Sequence, residues 1–151
     1  MPKDRGELVE ELNRLMAEEA EACLRYFQMR FRVRGRHRRI AERFFEGAIK
    51  ETLEHADAIA RRIHALGHVP SLRIHLSLEG EPMRASDALA EALEVEQQAL
   101  DAYKDFLPRV MGDPVLEDFI RKQIAVETEH MQEIREAVRA TPLRLVTKPG
   151  T

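Results

Sequence analysis

Apolar residues return at helical intervals in four separate stretches of this 151-residue chain. Spacings of three and four residues place such positions on one face of a helix, so the pattern predicts four amphipathic helices. Turn and helix-stop signals separate or end the stretches, at Gly35, Gly67, Gly112 and Pro142. The third helix is expected to begin with Ser86 or Asp87 as its N-cap, because short polar side chains accept hydrogen bonds from the first free N–H groups.

The connections between the stretches define an expected topology. The first and last connections are short, which predicts two antiparallel helical hairpins. The segment from Gly67 to Ala85 has 19 residues; fully extended it could reach about 60 Å. A 25-residue helix is only about 38 Å long, so this segment can cross the whole bundle. We therefore expect an all-α, ferritin-like four-helix bundle with one long crossover between helices 2 and 3.

This bundle is predicted to form a single domain, residues 1–151, with helices over about 5–140 and an irregular tail at 141–151. Within the crossover, four apolar residues alternate with polar ones, at Leu72, Ile74, Leu76 and Leu78. The alternation is typical of a strand-like stretch with one apolar edge. Such a stretch either packs on the bundle or pairs with a second copy across a two-fold axis.

Two glutamates lie, by pattern, inside the apolar stripes of the first and third helices. Glu19 precedes Tyr26 by seven residues, and Glu96 precedes Tyr103 by the same interval. Burial of a lone carboxylate is costly, so a repeat of this kind indicates a shared partner such as a metal ion between the helices. Glu94 is the alternative on the third helix, but it points away from the apolar stripe to which Glu96 belongs.

The second and fourth helices carry histidines in matching places. Glu127 and His130 form a Glu-x-x-His pair on one face of the fourth helix. The second helix has Thr52-x-x-His55 instead. A regular helix leaves Glu51 at the edge of the bundle as a flanking charge, whereas a π-bulge would turn it inward as a ligand, and both alternatives stay open.

A set of carboxylates and imidazoles facing one core suits iron, manganese or zinc better than calcium. Carboxylates that bridge two ions inside a four-helix bundle favour iron, with one or two ions bound. A polar network without metal is the alternative. The expected metal ligands are Glu19, His55, Glu96, Glu127 and His130, with Glu51 as a further candidate.

The chain resembles bacterioferritins, within the ferritin-like di-iron carboxylate superfamily, over roughly residues 5 to 140. The resemblance rests on residues 13–19 followed by Tyr26-Phe27, on His55-Ala-Asp57 and on Glu127-x-x-His130. It implies that the ligands above form a ferroxidase site, with Tyr26 as a catalytic tyrosine beside the iron pair. It also implies oxidation of Fe(II) by dioxygen or peroxide, and storage of the product inside a closed shell of subunits.

The chain departs from that family at four points. Thr52 stands where the family has a bridging glutamate, and Leu53 replaces the methionine that binds haem, so no haem is expected. The family's helix spacing would select Glu94 rather than Glu96. Only nine residues follow Pro142, so no fifth helix is expected. Two other functions therefore stay open: a non-catalytic oligomer with a degraded site, and a di-metal oxidase or peroxidase.

Composition and charge indicate the class of protein and its cellular compartment. Hydrophobic residues make up 44% and charged residues 34%, which is typical of a globular domain. Cys23 is the single cysteine, so no internal disulfide forms and a reducing compartment is expected. The first residues lack the apolar run of a signal peptide, and no stretch has about 18 consecutive apolar residues. We expect a cytoplasmic protein without membrane association.

Two surface features predict partners. Six arginines lie between Arg30 and Arg39, where a polyphosphate or nucleic-acid patch is the less favoured interpretation and a solvated or ion-paired turn the favoured one. Phe27, Phe31 and Phe44 fall at the margins of their apolar stripes. Aromatic residues in such positions mark interfaces, so we predict at least a homodimer, formed by the first two helices and residues 72–78.

Overall fold

The computed structural model describes residues 4–141 and contains four long helices. Their bounds are Arg5–Arg32 for α1, Arg38–Ala65 for α2, Ala85–Val110 for α3 and Pro114–Ala140 for α4. The predicted all-α four-helix bundle is therefore confirmed. The predicted irregular tail lies outside the described residues, apart from Thr141.

The start of α4 illustrates how local sequence defines a helix end. Gly112 has φ of 105°, a conformation that glycine adopts without strain, and it turns the chain between α3 and α4. The Asp113 side chain then accepts hydrogen bonds from the N–H groups of Val115 and Leu116, both at 3.2 Å. Pro114 lies in the first turn, where its missing N–H is harmless.

The start of α3 differs from the prediction. Its N-cap is Arg84, without a side-chain capping bond, and neither Ser86 nor Asp87 takes that role. The reason is a short parallel pairing between β1, Val33–Arg34, and β2, Met83–Arg84. This pairing holds Arg84 in an extended conformation, so the helix begins at the next residue.

The crossover runs alongside α1. Near its beginning, the N–H of Ser71 donates to Asn13 Oδ1 at 2.9 Å. Near its end, Arg32 Nε donates to the carbonyl oxygen of Glu81 at 3.0 Å. Since Asn13 lies in the first half of α1 and Arg32 is its last residue, the segment passes along most of the bundle, as predicted.

The predicted strand-like stretch within the crossover does not form a strand. Residues 68–82 contain no helix or strand. The strand pairing of the described residues, between β1 and β2, begins only at Met83, so the alternating stretch has no ladder partner. The alternation nevertheless has a structural effect. Ile74, Leu76 and Leu78 are half-buried, while Leu72 and the polar residues between them are exposed.

Two apolar clusters fill the bundle, one toward each end. The first contains residues such as Leu12, Ile59, Phe106 and Ile120. The second contains residues such as Met29, Phe45, Ala88 and Ile134. The middle of each helix lies between the clusters, so side chains there are removed from water by apolar packing on both sides. Among residues 4–141, no helix has the length and apolar character needed to cross a bilayer.

The arginine-rich turn makes several contacts within the chain. The Arg30 guanidinium lies 4.6 Å from the ring centroid of Phe31 and 3.9 Å from Glu46 Oε1. Arg38 Nε lies 3.3 Å from Glu42 Oε1. These contacts favour the interpretation as an ion-paired, solvated turn, and a polyanion partner stays a prediction.

Candidate metal centre

Five side chains from all four helices converge in the layer between the two apolar clusters. They are Glu19 on α1, His55 on α2, Glu96 on α3, and Glu127 and His130 on α4. They form two triads, one with Glu19 and His55 and the other with Glu96 and His130. Glu127 belongs to both. Within each triad the ligand atoms lie within 4.8 Å of one another. One cation fits among each set of atoms, and the shared carboxylate can bridge the two positions.

The third helix presents Glu96 and not Glu94 to this layer. Glu96 is 3% exposed, whereas Glu94 lies on the outside of the bundle. The position of Glu96 predicted from its apolar neighbours is therefore confirmed. The selection of Glu94 by family spacing is wrong for this chain, because Glu96 shares the inner face of α3 with the buried Ala92 and Leu100.

Each tyrosine binds the glutamate of the opposite half. Tyr26 Oη donates to Glu96 Oε1 at 2.7 Å, and Tyr103 Oη donates to Glu19 Oε1 at 2.7 Å. Burial, with the neighbouring carboxylates, raises the pKa of both phenols well above the ordinary value. Both phenols therefore stay protonated and act as hydrogen-bond donors.

The sequence predicted a site role for Tyr26 and left Tyr103 as either its counterpart or a core residue. The structure brings both into contact with candidate ligands. The signal for Tyr103 was the repeated seven-residue step from glutamate to tyrosine.

The buried carboxylates differ in their protonation. Burial raises the pKa of Glu127 to about 9, an effect that the neighbouring Glu96 strengthens and the contact with His55 opposes. Burial also acts to raise the pKa of Glu96, but hydrogen bonds with His130, Glu127 and Tyr26 outweigh it and hold that pKa at about 2. These opposite shifts indicate that the two neighbouring carboxyl groups hold one proton between them at neutral pH.

The two histidines lie close to the buried carboxyl groups, and these contacts raise the pKa of both imidazoles. His55 Nδ1 lies 3.2 Å from Glu127 Oε1 and 3.6 Å from Glu19 Oε2. Burial acts to lower the pKa of His55, but these two carboxyl groups raise it to about 10. The rings of His55 and His130 stack with centroids 5.5 Å apart. Burial also acts to lower the pKa of His130, yet Glu96 and Glu51 raise it overall.

Two buried ligand atoms without hydrogen bonds indicate whether a metal ion would fit this centre. His55 Nδ1 and Glu127 Oε2 are both buried. Nδ1 makes no well-aligned hydrogen bond despite the 3.2 Å approach of Glu127 Oε1, and Oε2 has no hydrogen-bond partner within the described residues. An unsatisfied buried polar atom costs about 1–3 kcal/mol. A cation coordinated by both would compensate for this cost, and carboxylate oxygens with imidazole nitrogens are donors that divalent iron, manganese and zinc accept. The residues present therefore fit a metal ion.

Neither Thr52 nor Glu51 is placed as a second ligand that could bridge the two triads. Thr52 is buried as predicted, but its hydroxyl donates to the carbonyl oxygen of Ala48 at 2.7 Å, in its own helix. α2 is a regular α-helix, so the π-bulge that would turn Glu51 inward does not form. Glu51 stays at the bundle edge with its side chain 45% exposed, yet its Oε2 lies 2.9 Å from His130 Nε2.

Leu53 lies on the outer face of α2 and is 60% exposed. In the resembling family this position holds the haem-binding methionine at a subunit contact. The leucine side chain has no donor atom for iron, so the expectation of no haem rests on its chemistry and stays a prediction.

A four-helix bundle with one long crossover and a central cluster of carboxylates and histidines defines the class of ferritin-like carboxylate bundles. The ferritin-like domain family model matches residues 9–143, so the chain belongs to this family. Comparison with curated proteins gives no significant match. The fold and the candidate ligands together support iron binding.

Solved structures of ferritin-like proteins are also similar to this chain. The chain is 26% identical to a ferritin-like, di-iron-carboxylate protein from Bacillus anthracis str. Ames, with a TM-score of 0.77, covering 91% of this chain and 99% of that one. It is 25% identical to a dodecameric thioferritin, the bacterioferritin-related protein from Bacteroides fragilis, with a TM-score of 0.81 and coverage of 92% and 88%. A Dps mutant from Listeria innocua shares the fold at 18% identity, with a TM-score of 0.79 and coverage of 87% and 95%.

Proposed function

We propose that this protein is a ferroxidase that takes Fe(II) as its substrate and oxidises it at the bundle centre. The observation that carries this proposal is the pair of ligand triads that share Glu127. Two iron ions held by one carboxylate can together deliver two electrons to one oxidant. Dioxygen then gains two electrons and two protons to form hydrogen peroxide, while two Fe(II) become two Fe(III). Peroxide is the alternative oxidant.

Each residue has a defined part in this proposal. Glu19 and His55 would hold one ion, Glu96 and His130 would hold the other, and both sites would share Glu127. Negative carboxylates stabilise the higher charge of Fe(III) more than that of Fe(II), especially where the surroundings are apolar.

The tyrosines keep the two terminal carboxylates in place. Tyr26 and Tyr103 each fix one carboxylate oxygen of a ligand by a 2.7 Å hydrogen bond. The other oxygen of each carboxylate would then be left to bind a cation. We assign Tyr26 to the reaction site on this ground, with Tyr103 in the equivalent role.

The protein is further proposed to act as a homo-oligomer, at least a dimer, in the cytoplasm. Phe27 and Phe31 on α1 are 51% and 58% exposed, which supports an interface there. Phe44 is instead half-buried and packs against Tyr26 and Phe45, so it contributes less than expected. A larger closed assembly of such dimers would enclose a cavity, and on that basis we propose iron storage or detoxification as the physiological role.

Thr52 favours a second candidate, a non-catalytic oligomer with a degraded site. Its hydroxyl is bonded to its own helix, so the centre has a single bridging carboxylate. A di-metal oxidase or peroxidase is the third candidate, since it would use the same ligands.

Anaerobic titration with Fe(II), followed by a pulse of dioxygen, tests the proposal. We expect stoichiometric binding, a rapid rise of Fe(III) absorbance and consumption of one dioxygen for each iron pair. Glu19→Gln should lose one of the two bound ions, the one in the triad that contains Glu19, and with it the paired oxidation. Glu18→Gln, a change of the exposed neighbouring residue, should lose neither. Binding far below one ion per chain would support the degraded site, and oxidation of an organic substrate without iron turnover would support the third candidate.

A further inference from the structure

The two halves of the centre are not equivalent, and α2 and α4 show where they differ. A shift of 75 residues places His55 on His130 and Thr52 on Glu127. The same shift places Glu51 on Val126. A carboxylate is therefore present beside the inner face of α2 at a position where α4 has an aliphatic side chain.

The carboxylate of Glu51 contacts the outer nitrogen of His130. His130 Nε2 lies 2.9 Å from Glu51 Oε2. The other ring nitrogen, Nδ1, lies 3.8 Å from Glu96 Oε2 and 3.8 Å from Glu127 Oε2. One nitrogen thus faces the candidate ligands and the other faces a solvent-exposed acceptor. Val126, at the equivalent position on α4, has no acceptor to offer His55.

A neutral histidine carries its proton on one nitrogen and offers the lone pair of the other. When a metal-binding histidine donates its outer N–H to a carboxylate, the tautomer and the ring orientation are fixed and the inner nitrogen becomes more basic. Glu51 is near enough for this effect, since its Oε2 makes an ion-pair contact with Nε2 at 2.9 Å.

We propose that Glu51 is a positioning residue that holds His130 with Nδ1 directed at the cation. The proposal rests on the function proposed above and adds an order of filling to it. The half that contains Glu96 and His130 binds its ion more tightly than the half that contains Glu19 and His55. Glu51 is not itself a ligand, because it lies on the opposite side of the imidazole ring from the ligand atoms of its triad.

Anaerobic Co(II) titration in competition with a chelator tests this assignment in the full-length protein. We expect two ions per chain in the native protein and in the Glu51 variants. Glu51→Ala should weaken the tighter site 10–100-fold, the usual effect of removing an outer partner of a metal-binding histidine. Glu51→Gln should recover part of the loss, since its amide oxygen still accepts from Nε2–H. Glu54→Ala, which removes an exposed charge from the same helix, should leave both affinities unchanged.

The tautomer gives a second, independent measurement. In the Zn(II)-loaded native protein, nitrogen NMR should show a proton on Nε2 of His130, with Nδ1 bound to the metal. Glu51→Ala should weaken this signature by mixing the two tautomers, while circular dichroism stays native. His130→Ala should abolish the tighter site and His55→Ala the weaker one.

Three results would overturn the assignment. Loss of one ion per chain in both Glu51→Ala and Glu51→Gln would show that Glu51 is a ligand. Unchanged affinity and tautomer in Glu51→Ala would show that it has no role at the centre. Native protein that binds no Co(II) at all would remove the metal centre itself, a failure of the proposed function that is readily distinguished from the other two.

Discussion

Glu127 is the residue on which both halves of the centre depend, since it belongs to both ligand triads. It is 1% exposed, and burial raises its pKa to about 9, which favours the uncharged acid at neutral pH. The protein thereby avoids a further buried charge while keeping a carboxylate available for a cation, which lowers the pKa when it binds.

Replacement of Glu127 by glutamine should separate folding from metal binding. The amide resembles the neutral acid, so the metal-free protein should lose less than about 1 kcal/mol of stability. The stabilisation by Zn(II), about 2.7 kcal/mol at a hundredfold excess over Kd, should disappear. Thermal unfolding with and without Zn(II) measures both effects, and Glu129→Gln, at an exposed position on α4, is the control. Normal two-ion binding by Glu127→Gln would contradict the bridging role.

Metal binding should release protons. A cation must displace one proton from His55, whose pKa is about 10, and one from Glu127, whose pKa is about 9. Glu96, with a pKa of about 2, is already ionised and releases none. Because protons compete with the cation below these pKa values, the apparent affinity should rise as the pH increases from neutral toward 9. Calorimetry in buffers of different ionisation enthalpy should detect about two protons released from these two groups at pH 7, with a further contribution from His130, whose pKa is also raised. A pH-independent affinity would contradict this protonation scheme.

Thr52→Glu should supply the second bridging carboxylate that the chain lacks. The hydroxyl of Thr52 contributes only a bond to its own helix, so its loss removes no ligand. We expect tighter binding of the second ion and faster Fe(II) oxidation. Stability of the metal-free protein should fall, because another carboxylate joins a buried acidic cluster.

Anaerobic Co(II) titration and stopped-flow oxidation measure the effect of Thr52→Glu. Thr52→Val, which keeps the shape and removes the hydroxyl, is the matched control and should bind metal as the native protein does. If Thr52→Glu bound the second ion no more tightly than the native protein, the missing carboxylate would not explain a weak second site.

At the scale of elements, the crossed tyrosine–glutamate pairs connect α1 with α3. Tyr26 of α1 donates to Glu96 of α3, while Tyr103 of α3 donates to Glu19 of α1. Each bond joins residues far apart in sequence, so it depends on the register of the two helices along the bundle axis. The amphipathic stripes predicted the helices themselves, but not this reciprocal pairing between them.

Double-mutant cycles on the metal-free protein should show that each tyrosine interacts with the glutamate of the opposite helix. Tyr26→Phe combined with Glu96→Gln should show a coupling energy of about 1–3 kcal/mol, as expected for a buried hydrogen bond to a carboxylate. Tyr26→Phe combined with Glu19→Gln should show less than about 0.5 kcal/mol. Urea unfolding measures both cycles. Equal coupling in the two cycles would mean that Tyr26 serves both carboxylates.

At the scale of the whole molecule, the outer face of α1 carries apolar surface that the bundle does not use. Phe27 and Phe31 pack against each other, with ring centroids 5.6 Å apart, and both remain exposed. Burial of one such side chain is worth about 1.5–3 kcal/mol, so a second copy that covers both would gain substantially.

Phe31→Glu should therefore dissociate the proposed dimer. A charge placed in an apolar interface loses solvation without gaining a partner. Phe31 and Val115 are both 58% exposed, so Val115→Glu on α4 is a matched control that should leave the assembly intact. Sedimentation at micromolar concentration distinguishes these states, and a native protein that sediments as a monomer would refute the prediction. Metal binding should survive in the Phe31→Glu monomer, because one chain supplies every candidate ligand.

The sequence by itself determined the four helices, the long crossover and the convergence of the candidate ligands. Each of these follows from local spacing, since residues at helical intervals share a face wherever the helix lies. The inward position of Glu96 was predictable for that reason, because its apolar neighbours on α3 define the buried face.

The tertiary structure alone decided which atoms meet across the bundle. The pairing of Tyr26 with Glu96 depends on the relative height of two helices, which no single helix encodes. The contact of Glu51 with His130 depends on the separation of α2 and α4, so a residue at the bundle edge reaches the centre without a bulge. Helical periodicity determines which way a side chain points, whereas packing determines what lies within its reach.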